Sequence, residues 1–552
     1  MSAAAMSAPA PTAAAPQAPA ARAGRMASVA SRLPRWWPLA LLTLFAAALR
    51  LSTLDLQSFW YDEAFTPVHV LHPSLVATLR SVVHSENTPP LWYVIAWADA
   101  RILGTGEIAL RLPSALAGIA TVPVAWAIGA ELEGRSSLGA TPPAPSARRV
   151  GAPSARHLAA PSAARVGAPR AAVACALLVA VNPLFVWYSQ EARAYGLFVL
   201  TGALALLCFL RVERAPTRAR MALFALTGAL ALLTHYFAVF LLIPMALWLL
   251  HEPRTRRAAL GALGVLAVVG AALLPLISAQ GGHGTQWIGR WPLSERLQAI
   301  PQYYLTGYSG KPLGHGIELL VALPILAGLA LGLWRMREPR RQRADASVHG
   351  LLLVLAIAAC GVLIPVLLVA CGADYLAPRN LVAAMIPVTA VIALVSVWPR
   401  TGRAGVALVL GIAVAFLAIS IDVDLSPRLQ RGDWRGLAKA LTPATAERVI
   451  STVELGSAPL EYYLPGLHGL RAGTSVRVRE IDETGFAPLR ASAAEPPAPG
   501  FHLRARLDVH GLIAYRFVSA TPQLVSEATL RRHVIALEGP PEVLVPAGVP
   551  AS

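Results

Sequence analysis

The chain has 552 residues, of which 56% are hydrophobic and only 14% charged, and its formal net charge is +17. Soluble domains carry about a quarter charged residues, and a charge at a bilayer centre costs several kcal/mol. The composition therefore excludes an ordinary soluble domain and predicts a polytopic membrane protein. The basic surplus lies mostly in short loops between apolar runs, the positive-inside pattern, so it marks a cytoplasmic face in contact with the lipid bilayer and argues against nucleic acid as a partner.

Residues 1–33 form an Ala/Pro-rich leader with Arg22, Arg25 and Arg32, and Arg35 follows. It reads as a disordered basic segment. A cleaved signal peptide fits less well, because the run from Trp36 to Leu54 is long and no A-x-A site precedes the polar stretch. Further apolar runs lie at about 111–130, 171–187, 195–211, 219–233, 236–250, 258–279, 315–334, 349–371, 379–398 and 404–421. Several reach or approach the roughly 20 residues needed to span hydrocarbon. If each crosses once, the basic loops 148–170, 211–220, 251–257, 335–343 and 398–403 all fall on the cytoplasmic side. This parity predicts about 11 transmembrane helices, with the N-terminus inside and the C-terminus outside. The segment "PPLWYVIAWADARIL" (89–103) would invert everything downstream if it crossed, so it is read as interfacial or re-entrant. Residues 219–250 read either as two short helices or as one long kinked one.

Within the transmembrane domain, 34–421, the Ala/Pro/Arg repeats of 148–170 read as a low-complexity cytoplasmic insertion. From Asp422 the chain turns polar. "DWRGLAKAL" and "APLEYYL" pattern as short helices, and "ERVISTVE", "SVRVREI" and "LIAYRFV" as strands. Residues 422–552 are therefore expected to form a small α/β domain outside the cytoplasm. The four cysteines sit in or at the ends of apolar runs without CxxC spacing, which argues against a disulfide framework.

On this topology several polar clusters collect on the outer face. They are Asp62-Glu63 in "SFWYDEAFTPVHV", "SENTPP" (85–90) with "EIALRLPS" (107–114), "WYSQEARAY" (187–195) and "GADYLAPRN" (372–380). The loop 280–314 adds His283, Trp287, Arg290, Trp291, Tyr303, Tyr304, Tyr308 and Lys311. Acids, arginines and aromatics converging on one side suit a polar substrate attached to a lipid phosphate. Each residue also has a plainer reading. Asp62 can cap a short helix near Ala64, Glu191 can pair with Arg193 in its own loop, and Arg111 and Arg379 can snorkel. Tyr188 and Tyr195 can belong to an aromatic belt, and His235 can be a polar turn residue.

"WYDEAF", "TPPLWY", "EIALRLPSAL", "PLFVWYSQEARAYGL" and "DYLAPRNLVAAMIP" occur in this order over about residues 36–440. Together they resemble the C-type polytopic glycosyltransferases of the protein O-mannosyltransferase and aminoarabinose transferase superfamily, in its bacterial mannosyltransferase-like branch. The resemblance implies a polyprenyl-phosphate-linked sugar as donor, a hydroxyl of an extracytoplasmic acceptor (glycan, lipid or protein), inversion at the anomeric carbon and a bacterial cytoplasmic membrane. It places the catalytic base at Asp62, with Glu63 beside it in the catalytic group as a structural or hydrogen-bonding partner that could exchange roles with it, and Glu191 as the further catalytic acid, to orient the acceptor or hold a metal. Arg111, Arg193, Tyr195, Arg379, Tyr61 and His235 are then expected to bind substrate. Relatives often carry Lys or His before the "PPL" prolines, where this chain has Asn87 and Thr88. The phosphate is then left to another cation: Arg379, Arg111, Arg290 or Lys311.

The chemistry agrees with one base. A leaving phosphate needs no protonation, unlike the alcohol leaving in glycoside hydrolysis, but it does need charge stabilisation. Adjacent acids can hold a divalent ion, yet the base role needs none, so no metal or other cofactor is expected to be obligatory. Two other classes remain at this point. A flippase or transporter of lipid-linked sugars predicts internal repeats and mid-span charges, neither of which the sequence shows. A non-catalytic scaffold predicts that Asp62→Asn is harmless.

Overall fold

The computed structural model describes residues 36–138, 169–282, 285–308, 316–337, 345–442, 447–486, 494–533 and 541–547. The leader 1–33, the insertion 148–170 up to residue 168, His283 and Lys311 lie outside the described residues. Without water to take their N–H and C=O groups, apolar runs must satisfy their backbone internally, and here they do so as helices. In order these are α1 (Trp37–Leu51), the short α2 (Tyr61–Phe65), α3 (Leu75–Ser85), α4 (Leu91–Leu103) and α5 (Glu107–Leu138). Next come α6 (Arg170–Val181), α7 (Pro183–Ser189), α8 (Tyr195–Arg214), α9 (Arg218–Thr234), α10 (Ala238–His251) and α11 (Arg256–Gln280). Then follow α12 (Gln286–Arg290), α13 (Leu293–Thr306), α14 (Ile317–Met336), α15 (Asp345–Ala370), α16 (Met385–Ser396) and α17 (Gly402–Leu425).

Among the described residues, seven helices are long and apolar enough to cross a membrane, or eight if the α6–α7 pair, bent by 56°, is one span. Helices α1, α9 and α10 coincide with expected spans but have 15, 17 and 14 residues. At 1.5 Å per residue they extend about 21–26 Å, short of a hydrocarbon thickness of about 30 Å. Residues 219–250 are two helices. His235, at the turn between them, stacks on Phe198 near the start of α8. Trp248, late in α10, packs instead on His349, which pairs with Glu213 at the far end of α8. The chain thus turns back at 235–237. The segment 89–103 belongs to an excursion that closes on itself. Arg111, near the start of α5, donates to the carbonyls of Leu54 (2.8 Å), Gln57 (2.7 Å) and Ser58 (3.1 Å), just past α1.

The α6–α7 bend positions one of the polar clusters, and its cause is local. Pro183 has no N–H, which frees the carbonyl of Val179, and the N–H of Leu184 turns to the side chain of Asn182 (3.0 Å), which frees that of Ala180. Arg50 of α1 is buried and takes both, donating to Val179 O (3.2 Å) and Ala180 O (2.9 Å). Gln190 then ties the end of α7 to α1 through Arg50 O (3.0 Å) and Thr53 Oγ1 (2.6 Å). Elsewhere small residues allow close approach, as membrane helix packing requires. A Cβ added at Gly332 of α14 would lie 2.1 Å from the Val395 carbonyl of α16.

Beyond α17 come α18 (Trp434–Ala440), β1 (Arg448–Thr452), α19 (Ser457–Tyr463), β2 (Leu467–Gly469), β3 (Ser475–Phe486), β4 (His502–Val509), β5 (Leu512–Ser526), α20 (Glu527–Arg532) and β6 (Glu542–Pro546). The six strands form one sheet in the order β2-β6-β1-β3-β5-β4, with β1 and β3 parallel and the other pairs antiparallel. The three expected strands are β1, β3 and β5, and β1 and β3 are adjacent at the centre. The unit docks on the helices through tyrosines. Tyr463 Oη accepts the N–H of Phe59 (2.7 Å) and bonds Glu107, and Tyr462 Oη donates to Thr105 O (3.0 Å). Ser58 joins both parts, donating to Gly432 O (3.1 Å) and accepting from Trp434 N (3.0 Å).

Candidate active site

Helix α2 is one and a half turns long, and successive side chains on it diverge by about 100°. Asp62 and Glu63 therefore face different surroundings. Glu63 points inward and is fully buried. Arg111 grips it side-on, Nε to Oε1 at 2.8 Å and Nη2 to Oε2 at 2.7 Å, and the N–H of Ala192 adds a third bond at 2.8 Å. Burial alone would raise the Glu63 carboxyl, but Arg111 and then Arg431 hold it below the usual carboxylate value. Asp62 points to the partly open mouth, where Oδ2 accepts from Arg379 Nη1 at 2.8 Å, and both side chains keep some exposure, 17% and 19%. No side chain caps α2, so the capping reading of Asp62 does not apply.

Two expected substrate contacts are already engaged. Besides Glu63, Arg111 holds three backbone carbonyls and is almost wholly buried. Arg193 makes a two-armed pair with Glu86 of "SENTPP" (3.2 and 3.0 Å) and also donates to Asp62 O (3.2 Å). Glu63, Arg111 and Arg193 are thus each committed to a protein partner. Glu63 is held ionised, with both carboxylate oxygens engaged by Arg111 and the Ala192 N–H. Arg193 is not the partner of Glu191.

That partner is Arg431, which the sequence reading did not single out. Its Nη2 lies 3.3 Å from Glu191 Oε2, and its Nη1 lies 3.9 Å from Glu63 Oε2. Its guanidinium sits 4.3 Å from the Trp187 ring centre and 5.8 Å from that of Trp60. The one sequence signal was position: "RGDW" runs directly into the quoted "DWRGLAKAL". Glu191 is fully buried, and its Oε1 has no hydrogen-bond partner. Burial pushes its carboxyl up to about 7 from 4.5; Arg431 opposes this and the charges of Glu63 and Asp62 add to it.

A raised carboxylate pKa favours the protonated folded state, so its stabilising contribution is complete below about 4.5 and is lost as pH rises through about 7. Thermal unfolding of the wild type is therefore expected to lose more stability between pH 5.5 and 8 than that of Glu191→Gln. Parallel pH profiles for the two proteins would contradict this assignment.

Aromatic rings wall the mouth. Tyr308 stacks on Trp187 (5.3 Å) and packs near Trp60, Tyr188 and Tyr303, Tyr61 lies 4.4 Å from Trp60, and Trp287 sits under Arg379 at 5.0 Å. Tyr195 packs on Tyr188 at 4.8 Å. His235 lies behind this wall, stacked on Phe198 at 4.5 Å, and its Nδ1 accepts the N–H of Phe237. Burial first, then Arg379 and Arg193, lower its pKa to about 3. Arg290 is exposed beside Glu454, and Tyr304 bonds Thr389 away from the mouth. Among the described residues no group of three or more His, Cys, Asp or Glu is arranged to hold a metal ion. Asp62, Glu63 and Glu191 each face an arginine instead of a shared cation position.

The fold and cleft define a multi-pass membrane protein whose polar clusters converge beside a docked α/β unit. No protein-family model matches the chain, and no curated protein matches its sequence. Among solved structures, ArnT from Cupriavidus metallidurans in the apo state aligns with a TM-score of 0.50 at 12% identity, over 86% of this chain and 97% of that one. The same protein bound to undecaprenyl phosphate aligns at 0.49 and 11%, with the same coverage. The mycobacterial arabinofuranosyltransferase AftD gives 0.47 and 16%, over 89% of this chain and 42% of that one. The chain has the fold of that ArnT structure. At this identity the likeness establishes the fold alone.

Proposed function

We propose that the chain is an integral-membrane glycosyltransferase that moves a sugar from a polyprenyl phosphate to a hydroxyl of an extracytoplasmic acceptor, with inversion. The observation that carries this reading is the Asp62–Arg379 pair at the partly open mouth, a carboxylate and a cation within 2.8 Å. A phosphate arriving with its sugar competes for Arg379, and Asp62 then becomes available as a base. The acceptor O–H gives its proton to Asp62 and its oxygen bonds to the anomeric carbon. The C–O bond to phosphate breaks, and its electron pair leaves on the phosphate, facing Arg379. Attack and departure on opposite sides invert the centre. The apolar tail of such a donor suits a membrane fold, and ArnT, whose fold the chain shares, has itself been solved with undecaprenyl phosphate.

On this reading the cations of the site are guanidinium groups, and the reaction needs no metal. The transmembrane domain is 34–421 and the α/β domain 422–552, with the latter and the mouth outside the cytoplasm of a bacterial inner membrane. The test is the product made by the full chain from an anomerically pure polyprenyl-phosphate sugar. NMR is expected to show the inverted anomer, with one polyprenyl phosphate released per sugar transferred. A retained anomer would remove the single-displacement mechanism.

A further inference from the structure

A phosphate monoester leaving group carries close to two negative charges, and Arg379 offsets one of them. The neighbouring arginines are committed. Arg111, Arg193 and Arg296 make two-armed pairs with Glu63, Glu86 and Asp374 at 2.6–3.2 Å. Arg431 is different. It reaches Glu191 with one arm at 3.3 Å, its other arm stands 3.9 Å from Glu63 Oε2, beyond hydrogen-bond distance, and Glu191 Oε1 has no hydrogen-bond partner. A buried pair this incomplete is a poor structural device, since each orphaned polar atom gives up its bonds to water without replacement.

The Arg431 side chain is nonetheless held firmly in place. The Trp187 and Trp60 rings flank its guanidinium, and its backbone N–H donates to Gln57 Oε1 at 2.9 Å. The next residue, Gly432, is pinned by Ser58, which also fixes the start of α18. Tyr308, on the mouth wall, is within the electrostatic reach of Arg379, Asp62, Glu191 and Arg431 together. The arginine is thus an oriented cation with uncommitted donors beside the Asp62–Arg379 pair.

We infer that Arg431 is a second cation for the donor's phosphate, supplied by the segment leading into the α/β unit, which thereby completes the site. This inference rests on the donor proposed above and goes beyond it by naming the residue and the segment.

The test measures binding of undecaprenyl phosphate and of neutral undecaprenol to the full chain in detergent, read by tryptophan fluorescence, which Trp60 and Trp187 report. The wild type is expected to prefer the phosphate at least tenfold. Arg431→Gln is expected to lose most of that preference while binding undecaprenol as the wild type does, and Arg431→Lys to retain part of it. Glu191→Gln, which releases the guanidinium, is expected to keep or increase it. A wild-type preference that persists in Arg431→Gln overturns this inference and leaves the donor reading standing. No preference in the wild type overturns both. Loss of undecaprenol binding in both Arg431 variants assigns the residue a structural role and overturns the inference.

Discussion

Asp62→Asn is expected to reduce kcat by about 10²–10⁴-fold, the usual worth of a positioned general base, while leaving donor affinity equal to or tighter than that of the wild type. The amide keeps the shape of the carboxylate but cannot take the acceptor proton. It also releases Arg379, whose 2.8 Å bond to Asp62 competes with a phosphate. Loss of kcat with unweakened donor binding is therefore the signature of a base. A scaffold residue would lower neither, and a purely structural one would lower both. Steady-state kinetics beside a binding isotherm separate these outcomes.

Glu63→Gln is expected to act on folding instead. The variant leaves Arg111 charged and buried without its counterion, and removing one partner of a buried pair costs about 3–5 kcal/mol. Thermal unfolding in detergent is expected to shift down strongly for Glu63→Gln and for Arg111→Met, and less than additively for the two together, since the double variant buries no lone charge. Single variants with wild-type unfolding temperatures would show that the pair does not hold the mouth together.

These neighbouring acids show how far the sequence could be read. Hydrophobic runs, turn residues and basic loops announced the helices, because each is dictated by the local demand to satisfy backbone groups in lipid. Charge parity set 89–103 apart from the spans as interfacial or re-entrant, and the bond from Arg111 to Leu54 brings the two ends of that excursion together. The pairing of clusters was not legible. "SQEAR" places Glu191 two residues from Arg193, yet the bend at Asn182–Pro183 directs Arg193 to Glu86 and leaves Glu191 to Arg431, 240 residues on. No local rule encodes contacts of that separation. Nor could adjacency tell which of Asp62 and Glu63 would be consumed by Arg111, because that depends on which side of a five-residue helix meets α5. In the α/β unit, β1, β3 and β5 were legible because they concentrate β-branched and aromatic residues. β2 is three residues long, and β4, whose apolar residues do alternate, is a half-exposed edge strand with few β-branched or aromatic residues.

The most direct measurement is transfer by the purified full chain from a radiolabelled polyprenyl-phosphate sugar, wild type beside Asp62→Asn at matched donor occupancy. The account predicts labelled product and released polyprenyl phosphate for the wild type, and at least a hundredfold slower formation of both for the variant. Equal rates in the two proteins would contradict it.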